Sequence, residues 1–162
     1  MDPVGSFSQE HTWVFPPARL WKASVLDASS LIPTVMPEVI ASSKILEGDG
    51  GVGSIRLMNF TPDMKEFTSV KDRIDVIDGE NYVFKYTIIE GGLIGVKLKS
   101  YSFETRFTPT GNGGTKSKVI VDYETLDGQS LTEVEIKMIK GATTSIAKAI
   151  EEYLQANPGA YA

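Results

Sequence analysis

Hydrophobic and polar residues alternate through the middle of the chain, and glycine-rich turns interrupt the alternation. The turns read GDGGVG at 48 to 53, DGEN at 78 to 81, EGG at 90 to 92 and GNGG at 111 to 114. Because successive side chains point to opposite faces of a strand, this spacing predicts a meander of antiparallel strands between 40 and 127.

Near the carboxyl end the apolar residues recur every three or four positions, which is the period of a helix. The pattern predicts a helix from about 131 to 156, with Ser130 as its N-cap and Glu133 completing a capping box. The run Asn157-Pro158-Gly159 is expected to end this helix. Its recurring apolar positions are Ile139, Ala142, Ile146, Ile150 and Tyr153.

The amino-terminal part predicts one strand followed by two short helices. From Phe7 to Phe15 every second residue shares a face with His11 and Trp13, as in a strand. Pro17 is expected to open the first short helix. The second follows Ser29-Ser30 and is expected to be curtailed by Pro33 and Pro37. The order of elements indicates an α+β fold.

The predicted strands carry an unusual number of polar groups on their apolar faces. Asp72 falls in a row with Val70, Ile74 and Val76. The other rows are Tyr82, Phe84, Tyr86 and Ile88; Tyr101, Phe103, Thr105 and Phe107; and Ser117, Val119, Val121 and Tyr123. Buried hydroxyl and carboxyl groups need hydrogen-bond partners. Composition leaves two arrangements open: an internal cavity with apolar walls and a few polar groups, or tyrosines that reach water at the sheet edge.

Length and charge bound the class of protein. The 162 residues fit a single domain spanning 1–162, and 41% of them are hydrophobic. The net charge of -5 repels phosphate backbones, so we expect no nucleic-acid partner. We expect a cytoplasmic protein without a membrane association, because no apolar run approaches the roughly 20 residues of a membrane span. The absence of cysteine excludes disulfides and thiolate sites.

Four motifs resemble those of the plant pathogenesis-related class-10 proteins, the Bet v 1 family. They are GDGGVGSI at 48 to 55, VKDRID at 70 to 75, IEGGLIG at 89 to 95 and AIEEYLQANPGAYA at 149 to 162. The resemblance implies a helix-grip (Bet v 1/START-like) fold. In this fold a seven-stranded curved antiparallel sheet, two short helices and one long C-terminal helix surround an internal cavity.

The same resemblance implies a function and a set of site residues. Members are intracellular, defence- or stress-related carriers or buffers of small hydrophobic plant metabolites or hormones, of cytokinin, flavonoid or steroid type. We therefore expect a small hydrophobic ligand, no cofactor and a monomer. The expected ligand-binding residues are Asp72, Phe84, Tyr86, Ile88, Tyr101, Phe103, Tyr123, Met138, Ile139, Thr143 and Ile146, with Lys140 near an entrance. A hydrogen bond from a ligand N–H or O–H is the role expected of Asp72.

The glycines at 48 to 53 fit a dinucleotide-binding fingerprint, but the segment that follows them reads as a strand rather than a helix. A hairpin loop containing Gly48, Gly50, Gly51 and Gly53 is the stronger interpretation. His11 is the only histidine and shares its strand face with apolar residues, so a structural role is expected. No cluster of acidic residues and histidine has the spacing of a metal site.

Two enzymatic alternatives come with the resemblance. A weak ribonuclease activity is attributed to two glutamates and a tyrosine; Glu151 and Tyr153 match, but the strand glutamate is replaced by Lys99. That departure favours a solvated helix surface for Glu151. Norcoclaurine synthases condense amines with aldehydes by means of a cavity lysine, and Lys118 lies on the matching strand. Because Lys118 alternates with Ser117 and Val119, it is expected to point outward.

Overall fold

The computed structural model describes residues 4–64 and 67–162. Seven strands make one antiparallel sheet, and their bounds are β1 Val4–Trp13, β2 Ile40–Glu47, β3 Ile55–Phe60, β4 Ser69–Asp78, β5 Val83–Gly91, β6 Leu98–Pro109 and β7 Thr115–Thr125. Their order across the sheet is β1-β7-β6-β5-β4-β3-β2. From β2 to β7 each strand pairs with the next along the chain, so the predicted meander is confirmed.

Two short helices fill the return from β1 to β2. Helix α1, Pro17–Trp21, begins at a proline as predicted and continues as a π-helical turn, Lys22–Leu26. Helix α2 spans Ala28–Val35 and differs from the prediction. It begins before the serine pair and passes through Pro33, which forfeits one backbone hydrogen bond but does not end the helix.

The long helix α3 spans Glu133–Ala156, about 36 Å at 1.5 Å per residue. The prediction of Ser130 as its N-cap is wrong. Thr132 is the N-cap, and its hydroxyl accepts the N–H of Glu135, whose carboxylate accepts the N–H of Thr132 in return. The capping box therefore lies two residues further on, while the predicted end at Asn157 is confirmed.

The faces of the strands follow the predicted alternation except where the sheet register shifts. In β4, Ile74 pairs with Tyr86, but a bulge follows and Val76 pairs with Lys85. The extra residue turns Val76 away from the apolar row, and Ile77 packs against the core in its place. The prediction for Val76 is therefore wrong by one position.

The core consists of two apolar clusters, one towards each end of α3. One cluster gathers Trp13, Trp21 and Leu154 beneath the short helices. The other gathers Leu98 and Ile139 with the neighbouring strands. Both clusters reach the sheet face that α3 covers, and this arrangement defines the walls of the site. The elements together form the predicted α+β helix-grip fold.

Arg19 of α1 joins the carboxyl-terminal segment to the amino-terminal part of the fold. Its guanidinium donates to the carbonyl oxygens of Leu154, Asn157 and Ala160 at 2.9 to 3.0 Å. The last turn of a helix leaves carbonyl groups without partners, and a cation is favoured there. Arg19 therefore fixes the end of α3 against the short helices.

Candidate functional site

A cavity of about 540 Å³ lies between the curved sheet and α3. Its walls are mostly apolar and come from all seven strands, from the π-helical turn, from α2 and from α3. The strand and helix patterns explain why, since each of these elements presents one apolar face to the same space. A space of this size and lining is suited to a small organic molecule.

Ten of the eleven residues predicted to bind a ligand lie in the wall of this cavity. They are Asp72, Phe84, Tyr86, Ile88, Tyr101, Phe103, Met138, Ile139, Thr143 and Ile146. Tyr123 is not part of the wall. Its ring packs against Phe7 at 6.1 Å, and its hydroxyl lies over Gly5, where the absent side chain leaves room for it. Tyr123 belongs to the packing between β1 and β7.

The main polar feature of the wall is an ion pair between Arg56 of β3 and Asp72 of β4. The two residues are register partners in the sheet, and Nε and Nη2 of Arg56 donate to the two carboxylate oxygens at 2.8 and 3.1 Å. Burial raises the pKa of Asp72, and the guanidinium opposes that rise. Both carboxylate oxygens already have a partner, so Asp72 differs from the free ligand acceptor that the sequence predicted.

The sequence reasoning missed Arg56. The residue alternates with Met58 and Phe60, and all three side chains line the cavity. Its guanidinium carbon lies 5.2 Å from the ring centre of Phe84 and 5.1 Å from that of Tyr86, in the position of a cation–π contact. The alternation of Arg56 with Met58 and Phe60 in IRLMNF is the pattern from which its place in the wall could have been predicted.

Two tyrosines, Tyr86 and Tyr101, give the wall its phenolic hydroxyl groups. Tyr86 stacks on Phe103 with the ring centres 5.3 Å apart, and the Tyr101 hydroxyl accepts the N–H of Leu93 at 3.4 Å. Burial raises the pKa of both phenols, so both are neutral donors and acceptors near neutral pH. Within the described chain the Tyr86 hydroxyl has no hydrogen-bond partner. It is therefore available to a molecule in the cavity.

Polar contacts join β1 to α3 along one side of the cavity. Gln9 donates to the Thr144 hydroxyl, and His11 Nε2 lies 3.2 Å from a carboxylate oxygen of Glu151. The prediction of a solvated surface for Glu151 is wrong, because the side chain is 28% exposed and bound to His11. His11 contributes to the structure, since its ring also makes an edge-to-face contact with the ring of Trp13, with the ring centres 4.7 Å apart.

The residues required by the enzymatic alternatives do not converge in the cavity. Lys118 is exposed and lies on the opposite face of β7 from Ser117. Tyr153 packs against the apolar cluster around Trp21, and Lys99 is paired with Asp127 at 3.6 Å. Among the described residues, Lys118 therefore does not reach the cavity as condensation would require, and no pair of acids comes together with Tyr153 as a ribonuclease site would require.

The glycine-rich segment forms the hairpin between β2 and β3, as predicted. Gly48 and Gly53 have φ values of 92° and 90°, which favour glycine. The N–H groups of Gly50 and Gly51 donate to the Ser54 hydroxyl and the Asp49 carboxylate inside the loop. Because these N–H groups are already bonded, the loop does not present them to a phosphate.

Within residues 4–64 and 67–162, no three histidine, aspartate or glutamate side chains come together in a possible metal site. Over the same residues no helix has the length and apolar character needed to cross a membrane.

Comparison with known proteins identifies the family. The chain is 40% identical over 158 residues to the major allergen Pru av 1 of Prunus avium, with 98% of each chain covered. The crystal structure of Ara h 8.0201 matches with a TM-score of 0.85 at 34% identity, covering 95% of this chain and 99% of that one. Norcoclaurine synthase from Thalictrum flavum matches with a TM-score of 0.79 at 23% identity, covering 94% of this chain and 87% of that one, and so shares the fold. The model of the family described as "Pathogenesis-related protein Bet v 1 family" matches residues 3–157, and the chain therefore belongs to this family.

Proposed function

We propose that this protein binds small, largely apolar plant metabolites or hormones, of cytokinin, flavonoid or steroid type, and acts as their carrier or buffer. The supporting observation is the cavity of about 540 Å³, whose walls are mostly apolar and whose polar groups include Arg56, Asp72, Tyr86 and Tyr101. Apolar surface drives entry of a ligand, and the few polar groups orient it.

The size of the apolar contribution sets the affinity to expect. A ligand that buries roughly 250 Å² of apolar surface gains about 6 kcal/mol at about 25 cal/mol per Å². This corresponds to a Kd of roughly tens of micromolar before polar contacts are counted. Binding should therefore be measurable by calorimetry at ordinary protein concentrations.

The competing proposal of an enzyme has less support. Condensation of an amine requires a lysine in the cavity, whereas Lys118 is exposed on the other face of the sheet. The carboxylate of Asp72 is held by Arg56, and this guanidinium repels a protonated amine at that point of the wall. Ribonuclease chemistry lacks its strand acid, which is Lys99 here.

The test is a thermal-shift and calorimetric screen against cytokinins, flavonoids and bile-salt-like amphiphiles. The variant Ile146→Trp places a large ring in the cavity and is expected to weaken binding at least about tenfold. Val134→Trp is the matched control, because Val134 lies on the same helix, is 76% exposed and is not part of the cavity wall. Saturable binding that only Ile146→Trp weakens supports the proposal. Failure of the whole panel, or equal binding by Ile146→Trp, contradicts it.

We further propose that the carrier works as a monomer in the cytoplasm. The chain contains no cysteine, so its stability does not depend on an oxidising compartment. Light scattering is expected to give a mass near 17.7 kDa with and without ligand. A stable mass of twice that value would contradict the monomer.

A further inference from the structure

The guanidinium of Arg56 has two edges that can each hold a carboxylate through two parallel N–H groups. Asp72 occupies the edge formed by Nε and Nη2, at 2.8 and 3.1 Å. The other edge consists of Nη1 and the second N–H of Nη2. Among the described residues nothing accepts a hydrogen bond from Nη1, so this edge is free.

Arg56 is part of the cavity wall, and 13% of its side chain is exposed. The side chain leaves β3 on the cavity face, and Met58 and Phe60 follow it along the same face of the strand. The rings of Phe84 and Tyr86 lie against the guanidinium. Nη1 has no hydrogen-bond partner among the described residues, but the protein does not enclose it completely, so part of its surface is accessible. A cation whose free edge has two unused donors thus borders a largely apolar space.

We propose that the cavity selects small apolar carboxylic acids, whose carboxylate binds the free edge of Arg56 while Asp72 holds the opposite edge. This inference rests on the proposed function, because it names the class of ligand for the same cavity. The planar fork of a guanidinium matches a carboxylate in two parallel hydrogen bonds, which a hydroxyl group cannot reproduce.

Charge also distinguishes the acid from other head groups. Asp72 is the fixed partner of the pair, with both oxygens engaged, so it offers little to a protonated amine. The cavity-facing residues of α3 contain no titratable side chain, and none of them competes for the ligand carboxylate. Because Asp72 repels a second carboxylate across the guanidinium, we expect a preference of about tenfold for the acid over a matched alcohol, at the lower end of charge-assisted hydrogen bonding.

The experiment uses three probes with one apolar body and different head groups: 6-phenylhexanoic acid, 6-phenylhexan-1-ol and 6-phenylhexylamine. Their dissociation constants for the full chain are measured by calorimetry at pH 7 and constant salt. The acid is expected to bind about tenfold more tightly than the alcohol, and the amine most weakly. An acid that binds no more tightly than the alcohol overturns the inference.

Two double variants assign the preference to the pair. Arg56→Met/Asp72→Leu removes both charges from the wall and is expected to abolish the roughly tenfold preference while the alcohol still binds. Arg73→Met/Asp75→Leu is the matched control, since that pair also has a 2.8 Å contact in β4 but Arg73 is exposed and neither residue lines the cavity. The control should retain the preference for the acid.

Binding of the alcohol distinguishes a damaged cavity from a specific loss of the preference for the acid. If the alcohol binds each variant as it binds the original chain, the cavity is intact and a lost preference is due to the loss of the Arg56–Asp72 pair. A preference for the acid that survives in Arg56→Met/Asp72→Leu overturns the inference but leaves the proposed function standing. If none of the three probes binds and the wider ligand panel also fails, the proposed function is wrong, and the inference is wrong with it.

Discussion

Replacing Arg56 by methionine is expected to destabilise the fold, because it leaves the carboxylate of Asp72 without its partner. The two side chains are 13% and 12% exposed, so the pair is largely buried. Removing one member of a buried pair costs about 3–5 kcal/mol, and we expect about 3 kcal/mol because this pair borders a cavity. For a chain of this length the change corresponds to a fall in Tm of roughly 6–12 °C.

The double variant Arg56→Met/Asp72→Leu separates the loss of the partner from the loss of packing. It leaves no unpaired charge and is expected to fall within about 1 kcal/mol of the original chain. Urea unfolding followed by tryptophan fluorescence measures the free energy of unfolding of both variants. Trp13 and Trp21 report on the core because they are only 5% and 6% exposed.

The stability lost in the single variant Arg56→Met should also depend on pH. Burial raises the pKa of Asp72 above its ordinary value of 3.8, and the loss of Arg56 removes the positive charge that opposes the rise. Between the ordinary pKa of 3.8 and the raised pKa of the folded state, the folded state binds a proton that the unfolded state has released. The stability of the single variant therefore falls as the pH rises through this interval and recovers as the pH falls towards 3.8. A deficit below about 1 kcal/mol at pH 7, or a double variant as unstable as the single one, would refute the reasoning.

Three other predictions follow from single contacts. Arg19→Ala removes three bonds to carbonyl groups near the end of α3 and should cost about 2 kcal/mol in urea unfolding, whereas the exposed Arg106→Ala should cost little. A hydrogen bond from the backbone N–H of Thr132 lowers the pKa of Glu135 below 4.5. The stability lost in Glu135→Gln should therefore be seen at neutral pH and disappear as the pH falls below 4.5 through the lowered pKa. Gly141→Ala, in open space on α3, should stabilise by about 1 kcal/mol, whereas Gly91→Ala should destabilise, because its φ is 82° and a Cβ would lie 2.2 Å from a carbonyl oxygen.

The faces of the strands could be predicted because alternation is a local property of the chain. Phe84, Tyr86, Tyr101 and Phe103 reach the cavity wall for that reason. The bulge in β4 could not be predicted in this way, since it depends on how β4 pairs with β5. The error at Val76 follows from that register shift.

The capping box shows a different limit of local patterns. Ser130 with Glu133 and Thr132 with Glu135 both satisfy the same spacing, so the sequence contains two overlapping boxes. The helix uses the second, in which both reciprocal hydrogen bonds form. The choice depends on where the preceding loop leaves the last strand, which the local sequence does not encode.

The polar contacts of the site could not be predicted from one sequence, because they join residues that are distant along the chain. Arg56 and Asp72 are 16 positions apart and meet only because β3 and β4 pair in one register. His11 and Glu151 are 140 positions apart and meet only when α3 packs beside β1. The local pattern around Asp72 therefore predicts an acceptor for a ligand N–H or O–H and does not indicate that Arg56 is its partner.

The location of a bound molecule tests most directly whether the protein binds its ligands in this cavity. Nuclear Overhauser effects between unlabelled 6-phenylhexan-1-ol and the isotope-labelled protein report distances to individual side chains without relying on Arg56. We expect contacts from the phenyl ring of the probe to Ile88, Phe103 and Ile139 in the cavity wall. Contacts confined to exposed apolar residues such as Val14 and Val96, with none to the wall, would contradict it.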